Sequence, residues 1–254
     1  MNILGSQLSL EEFRQYVSAY NFGPLKPSSL VIHHTWSPTE AEWNGATTIQ
    51  SLKKYYEGLG WSAGPHLFIA EDGVWLFTPM NTVGIHAGEG NATWSLPFGR
   101  TTQGFSKPFG GSLKSYSIGI EVVGDYDAEK WSGNTYSNAI GVIQTLLASL
   151  KIGVNDVYFH RDFPSAHKTC PGTAITKEWL AQQLVLNQPT VRPVKRLIQV
   201  SGKPEIFIWT GQKKFHIPDV STLNFLFPIQ DVELVEQSVL DSLEDGGNLN
   251  SLFT

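Results

Sequence analysis

At 254 residues and 41% hydrophobic content, the chain can bury a sizeable core, as one large domain or as a medium domain with a small one. Its formal net charge of −5 excludes a general attraction to nucleic acid or anionic wall polymers, and no apolar run approaches the ~20 residues that span a bilayer. The start, Met1-Asn-Ile-Leu-Gly-Ser-Gln, lacks a basic segment followed by an apolar core and cleavage site, so no secretory signal and synthesis in the cytoplasm are expected.

In chain order, Ser9-Leu-Glu-Glu12 is a capping-box pattern that opens a helix running to about Tyr20. Ser29-Leu-Val-Ile-His33-His34-Thr35 reads as a short buried strand ending in polar residues, between Pro27 and Pro38. Thr47-Thr-Ile-Gln50 starts a second helix, with Ile49, Leu52 and Tyr56 on one face and Gly58 and Gly60 as stop signals. Residues 66–70 and 74–78 flank the hairpin turn Glu71-Asp72-Gly73. Residues 91–115 form a long Gly- and Pro-rich stretch with Trp94, Phe98, Phe105 and Phe109. A loop of that length inside a compact domain is usually functional or mobile, and this one either rims a substrate groove or packs on its own aromatics. Ala139, Ile140, Ile143, Leu146, Leu147 and Leu150 make a helical core stripe, Val157-Tyr-Phe-His160 a second short strand ending in histidine, and residues 173–186 a final helix. Strands and helices mixed in this way predict an α/β fold, a central mixed sheet flanked by helices.

After a linker at Asn187-Gln-Pro-Thr-Val-Arg-Pro193 the composition changes, which divides the chain into residues 1–187 and a small α+β extension, 188–254. Residues 192–214 carry six basic residues against Glu205, whereas 215–254 hold seven acids and no Lys or Arg. Residues 205–217 read as a hairpin, Val232–Leu243 as an acidic helix, and Gly246–Thr254 as a fraying end. The extension is either a wall-binding module or a docked structural or oligomerisation element, and the sequence leaves the oligomeric state open.

The single cysteine, Cys170, sits in His160-Arg-Asp-Phe-Pro-Ser-Ala-His-Lys-Thr-Cys170-Pro-Gly172. Unable to form an intramolecular disulfide, it is an inert thiol, a nucleophile or a metal ligand. Two strands ending in His33 and His160, with a cysteine loop, supply three ligands, the number a catalytic zinc keeps while leaving one position open. Adjacent strand residues face opposite ways, so only one of His33 and His34 enters a cleft directly.

Five ordered segments, Val31-Ile-His33-His-Thr, residues 60–73, Val83-Gly-Ile-His86-Ala-Gly, Ser117-Ile-Gly-Ile-Glu121-Val-Val-Gly124 and residues 160–172, resemble the zinc-dependent N-acetylmuramoyl-L-alanine amidases of the type-2 family. That family shares its fold with phage lytic amidases and peptidoglycan recognition proteins. The resemblance spans residues 28–182 and implies a Zn²⁺ cofactor held by His33, His160 and Cys170. It places Glu121 at a catalytic carboxylate, Lys168 at a basic residue facing the substrate carbonyl, and His86 at a cleft histidine. His34 and Trp94 join His86 as candidate substrate contacts, His34 with packing beside the metal as its plainer role. Some phage members carry a tyrosine where this chain has Pro65, so no phenol role transfers there.

The residue types suit amide hydrolysis. Zinc lowers the pKa of water to about 7, a carboxylate such as Glu121 moves the proton to the leaving amine, and Lys168, or the zinc itself, stabilises the developing oxyanion. The implied partner is peptidoglycan, through its muramyl stem peptides. The implied function is a phage or prophage lytic amidase (endolysin), which reaches the wall with outside help. The alternatives are a cytoplasmic amidase recycling anhydro-muropeptides and a non-catalytic peptidoglycan recognition module.

Overall fold

The computed structural model describes residues 1–95, 99–101, 104–106, 111–164, 166, 168–186, 196–209, 213–219 and 232–248. They belong to two compact units, Met1–Asn187 and Gln188–Thr254. The linker residues 187–193, together with Phe98 and Phe109, lie outside the described residues.

The first unit runs β1 (Gln7–Leu8), α1 (Leu10–Ser18), β2 (Ser29–His34), α2 (Gly45–Gly58), β3 (Leu67–Ala70), β4 (Gly73–Leu76), β5 (Ala92–Trp94), β6 (Gly99–Thr101), β7 (Gly104–Ser106), β8 (Leu113–Val122), α3 (Gly133–Leu150), β9 (Val157–Phe159) and α4 (Lys177–Leu186). Ser9 caps α1 as its pattern predicts: Glu12 N–H donates to Ser9 Oγ at 3.2 Å, and Ser9 N–H donates to the Glu12 carboxylate at 2.7 Å. The sheet has the order β1-β4-β3-β8-β2-β9, with β5 pairing antiparallel to the first part of β8. Strands β3, β8, β2 and β9 are mutually parallel, and β3–β4 is the predicted hairpin, so the sheet is mixed. The 91–115 stretch, expected as one loop, contains the short strands β5, β6 and β7.

Alternation along the parallel strands decides what faces where. Leu30 and Ile32 of β2, Leu67 and Ile69 of β3, and Ile118, Ile120 and Val122 of β8 join one core with Phe13 and Val17 of α1, Ile140, Ile143 and Leu146 of α3, and Leu180 and Leu184 of α4. Phe68 and Ala70 of β3 point the other way and pack with Ile49 of α2, Trp75 and Phe77. Helices therefore cover both faces of the sheet, which is why its central strands are apolar almost throughout.

The second unit is a five-stranded sheet, order β13-β10-β11-β12-β14, from β10 (Arg196–Val200), β11 (Ile206–Trp209), β12 (Lys213–His216), β13 (Val232–Val235) and β14 (Glu244–Asn248), with a short α5 (Gln237–Asp241). β11 and β12 form the expected hairpin. The expected acidic helix over 232–243 is corrected: Val232–Val235 joins the sheet beside β10, and only Gln237–Asp241 is helical. An open strand edge beside β-branched valines outweighs the helical tendency of a segment too short to be helical alone. The fraying end is corrected over its first part, where Glu244–Asn248 pairs with β12 and Lys213 meets Glu244 at 2.9 Å. The basic and acidic halves of the extension are thus partners in one sheet, and residues 249–254 lie outside the described residues.

Candidate active site

The site lies at the C-terminal ends of the parallel strands, where ligands of open α/β sheets bind. His33 is the penultimate residue of β2 and pairs in register with Glu121 of β8. Their side chains belong to the face opposite Ile32 and Ile120, over which α2 leaves a cleft of about 1170 Å³. His160 follows β9 directly, opening a short 3-10 turn instead of ending the strand. Cys170 is buried in the loop before α4.

His33 Nδ1 is 3.1 Å from His160 Nδ1 and 3.7 Å from Cys170 Sγ, and the three candidate donor atoms lie within 4.8 Å of one another. A tetrahedral zinc, with Zn–N of about 2.0–2.1 Å and Zn–S of about 2.3 Å, spaces such donors by about 3.3–3.6 Å, close to the two separations made by His33, and two imidazoles with a thiolate are a donor set that zinc takes. It is the one such group among the described residues. Burial, then the neighbouring His86 and His160, holds His33 far below the ordinary imidazole range. Burial and then Lys168 lower His160 to about 4, so both rings are neutral, as ligands must be. Burial, then the Glu121 charge, pushes the Cys170 thiol up, which argues against a free thiolate nucleophile.

Glu121 stands beside this group, Oε1 at 3.9 Å from His33 Nδ1, while Oε2 is buried without a protein partner. Burial raises the carboxyl to about 8, against the lowering effect of Lys168. Lys168 and Thr169 are exposed and border the cleft. The cleft thus carries three neutral metal-type donors, an unsatisfied carboxylate oxygen and an ammonium.

The cysteine loop is held by residues the motifs did not single out. The Arg161 guanidinium donates to the carbonyls of Thr169 (2.8 Å), Gly172 (2.7 Å) and Ile175, and Arg161 N–H donates to Cys170 O at 3.0 Å. Asp127 accepts from Thr173 N–H at 2.9 Å and from the Thr169 hydroxyl at 3.0 Å. Gly172, at φ 106°, lies so close to the Tyr126 carbonyl that a Cβ would approach its oxygen to 2.3 Å. These contacts hold residues 172–175 as loop, and α4 begins at Lys177 instead of Thr173. An Arg immediately after a ligand-type histidine was the available signal.

The cleft also has an aromatic wall that no motif indicates. Trp36 and Tyr55 are 64% and 60% exposed at the cleft, and Tyr56 stacks on Trp61 with centroids 5.2 Å apart. The spacing of Tyr55, Tyr56 and Leu59 along the end of α2 carried that signal.

Of the three candidate substrate contacts, His34 and His86 border the cleft and Trp94 does not. Trp94 pairs with Leu113 at the start of β8, eight residues before Glu121, or about 26 Å along the strand. His34 faces away from His33: its Nδ1 accepts from Tyr126 N–H at 3.2 Å, and its own backbone N–H donates to Cys170 Sγ at 3.4 Å. His86 is buried, with Nδ1 at 3.1 Å from His33 Nε2.

A fourth buried histidine, His66, accepts at Nδ1 from Gly119 N–H (2.9 Å) and faces Thr82 O through Nε2 (3.0 Å). Burial lowers it to about 4 from an ordinary 6.5, so the unfolded chain takes up a proton in this window and the folded one does not. Its stabilising share is complete above pH 6.5 and is lost toward pH 4, at on the order of 1 kcal/mol per pH unit. Urea unfolding with divalent metals chelated should therefore show a shallower loss of stability from pH 7 to 4.5 in His66→Gln than in the wild type. Equal slopes would remove His66 from the account.

A family profile described as N-acetylmuramoyl-L-alanine amidase (Amidase_2) matches residues 23–173. Among solved structures, the chain is similar to N-acetylmuramoyl-L-alanine amidase LysC from Clostridium intestinale URNW, at 21% identity and TM-score 0.47, covering 63% of this chain and 87% of that one. It is also similar to Drosophila PGRP-LB (19%, TM-score 0.45, covering 60% and 79%) and to the Ph2119 endolysin from the Thermus scotoductus MAT2119 bacteriophage Ph2119 (20%, TM-score 0.44, covering 65% and 89%). A search of the curated proteins found no match.

Proposed function

The chain belongs to the Amidase_2 family of N-acetylmuramoyl-L-alanine amidases, and from that premise we propose that it cuts the bond between the lactyl group of N-acetylmuramic acid and L-alanine with a zinc ion held by His33, His160 and Cys170, and that it acts as a lytic amidase on intact peptidoglycan. The observation that carries the zinc assignment is the convergence of His33 Nδ1, His160 Nδ1 and Cys170 Sγ within 4.8 Å, beside the unsatisfied Glu121 oxygen. A zinc bound there supplies a Lewis acid and brings the pKa of water down to about 7.

The remaining chemistry belongs to the chain. Glu121 accepts the proton of the attacking water and passes it to the departing alanine nitrogen. The Lys168 ammonium offsets the negative charge that develops on the carbonyl oxygen. Trp36 and Tyr55 offer exposed rings to sugar or peptide. Support for a lytic role comes from the separate unit Gln188–Thr254, read as a wall-binding module, which a soluble muropeptide does not require.

Muropeptides digested with and without chelator, and read by mass spectrometry, test the activity. Free stem peptides should appear, stop on chelation and return with Zn²⁺; cleavage indifferent to chelation would sink the zinc reading. Removing residues 188–254 should lower activity on sacculi while sparing soluble fragments. Equal loss on both, or a preference for soluble anhydro-muropeptides, would favour a recycling role.

A further inference from the structure

The face of β8 that carries Glu121 also carries Ser117 and Gly119, and all three serve the same corner of the site. Gly119 is the floor under the His86 ring: a Cβ there would meet His86 Cγ and Cδ2 at 2.5 Å. The His86 ring therefore occupies the space that a side chain at this position would take. The backbone of His86 is fixed as well, because Asn91 Oδ1 accepts from His86 N–H at 2.9 Å and from Ala87 N–H at 2.6 Å.

Around that ring the hydrogen bonds have one consistent direction. The Ser117 hydroxyl donates its single proton to Gly90 O at 2.6 Å, so toward His86 Nε2, at 3.4 Å, it offers a lone pair. His86 then carries its proton on Nε2 and presents a bare Nδ1 to His33 Nε2 at 3.1 Å. His33 Nε2 must donate, which leaves His33 Nδ1 as a lone pair aimed at His160 and Cys170. A ligating histidine is commonly oriented through its other ring nitrogen in this way, and loss of such a partner typically costs 10–100-fold in metal affinity.

We propose that His86, seated on Gly119 and oriented by Ser117, is a positioning residue that holds His33 as the Nε2–H tautomer with Nδ1 free to bind the metal. This deepens the zinc reading above and rests on it for its consequence, although the tautomer itself exists without metal. It also explains why a serine, a glycine and a glutamate alternate on one strand: anchor, clearance and carboxylate share a face.

Three measurements on the full chain decide it. Nitrogen-15 chemical shifts of the histidine rings in the zinc-free protein should show His33 protonated on Nε2 and bare at Nδ1. Zinc affinity, read by chelator competition, should fall 10–100-fold in His86→Leu and less in Ser117→Ala. It should recover substantially in His86→Asn, whose amide oxygen falls near the position of Nδ1. The visible spectrum of the cobalt-substituted protein should shift in His86→Leu. Wild-type zinc affinity and an unaltered cobalt spectrum in a folded His86→Leu, or a His33 protonated on Nδ1, would overturn the proposal. A wild type that binds no zinc would instead defeat the metal reading, and the ring shifts would still judge the tautomer.

Discussion

Glu121→Gln is expected to lower kcat/KM on muropeptides by 10²- to 10⁴-fold with zinc content unchanged, the range typical of a lost general acid–base. The substitution keeps the size of the side chain and removes only its ability to take and return a proton. Glu121 is paired in register with His33 on the adjacent strand, and its Oε2 has no protein partner. A buried, unpartnered carboxylate oxygen is costly to maintain for structure alone. Burial also brings the carboxyl up to about 8, toward neutral pH, where proton transfer in both directions is efficient. Since the residue is not among the three clustered donors, metal content measured by atomic absorption should stay at the wild-type level. Activity within about fivefold of wild type would remove Glu121 from the reaction, and zinc loss equal to the activity loss would make it a ligand.

How much of this was legible in the sequence differs by residue, for physical reasons. His33, His160 and Cys170 could be grouped because strand-ending histidines and a lone cysteine are scarce, chemically specific residues. Glu121 was visible as a carboxylate inside an apolar run, which needs a reason to be there. Arg161 was not, since it works by donating to three backbone carbonyls, and carbonyls leave no trace in composition. The link from His86 to His33 was equally hidden: it depends on Gly119 lying under a ring 33 positions away in the chain. In the second unit, the opposite charges of its two halves are plain in the sequence, but their meeting across β12 and β14 is not. The patterns of α1 and α3 are legible because each sets a periodic apolar face against a large core. Val232–Val235 carries no strand signal of its own, because a four-residue strand is defined by the edge it joins.

Removing zinc is expected to cost the first unit much of its thermal stability, and Cys170→Ser should abolish that dependence. Ligand bound only by the folded state stabilises it by about 4 kcal/mol when present at 1,000 times its dissociation constant. For a unit of this size that is a Tm difference of about 10 °C between zinc-loaded and chelated protein. The donors converge from three separate places, the end of β2, the turn after β9 and the loop before α4, so an ion there ties together segments far apart in the chain. Serine cannot replace the thiolate, because its hydroxyl stays protonated and is a poor zinc ligand. Cys170→Ser should therefore unfold at the same temperature with and without zinc, close to the chelated wild type, since the buried side chain changes little in volume. Differential scanning calorimetry of both proteins in chelator and in excess Zn²⁺ reads this directly. A wild-type Tm indifferent to zinc, or a Cys170→Ser variant that keeps the full zinc-dependent shift, would refute the assignment of Cys170 as a ligand.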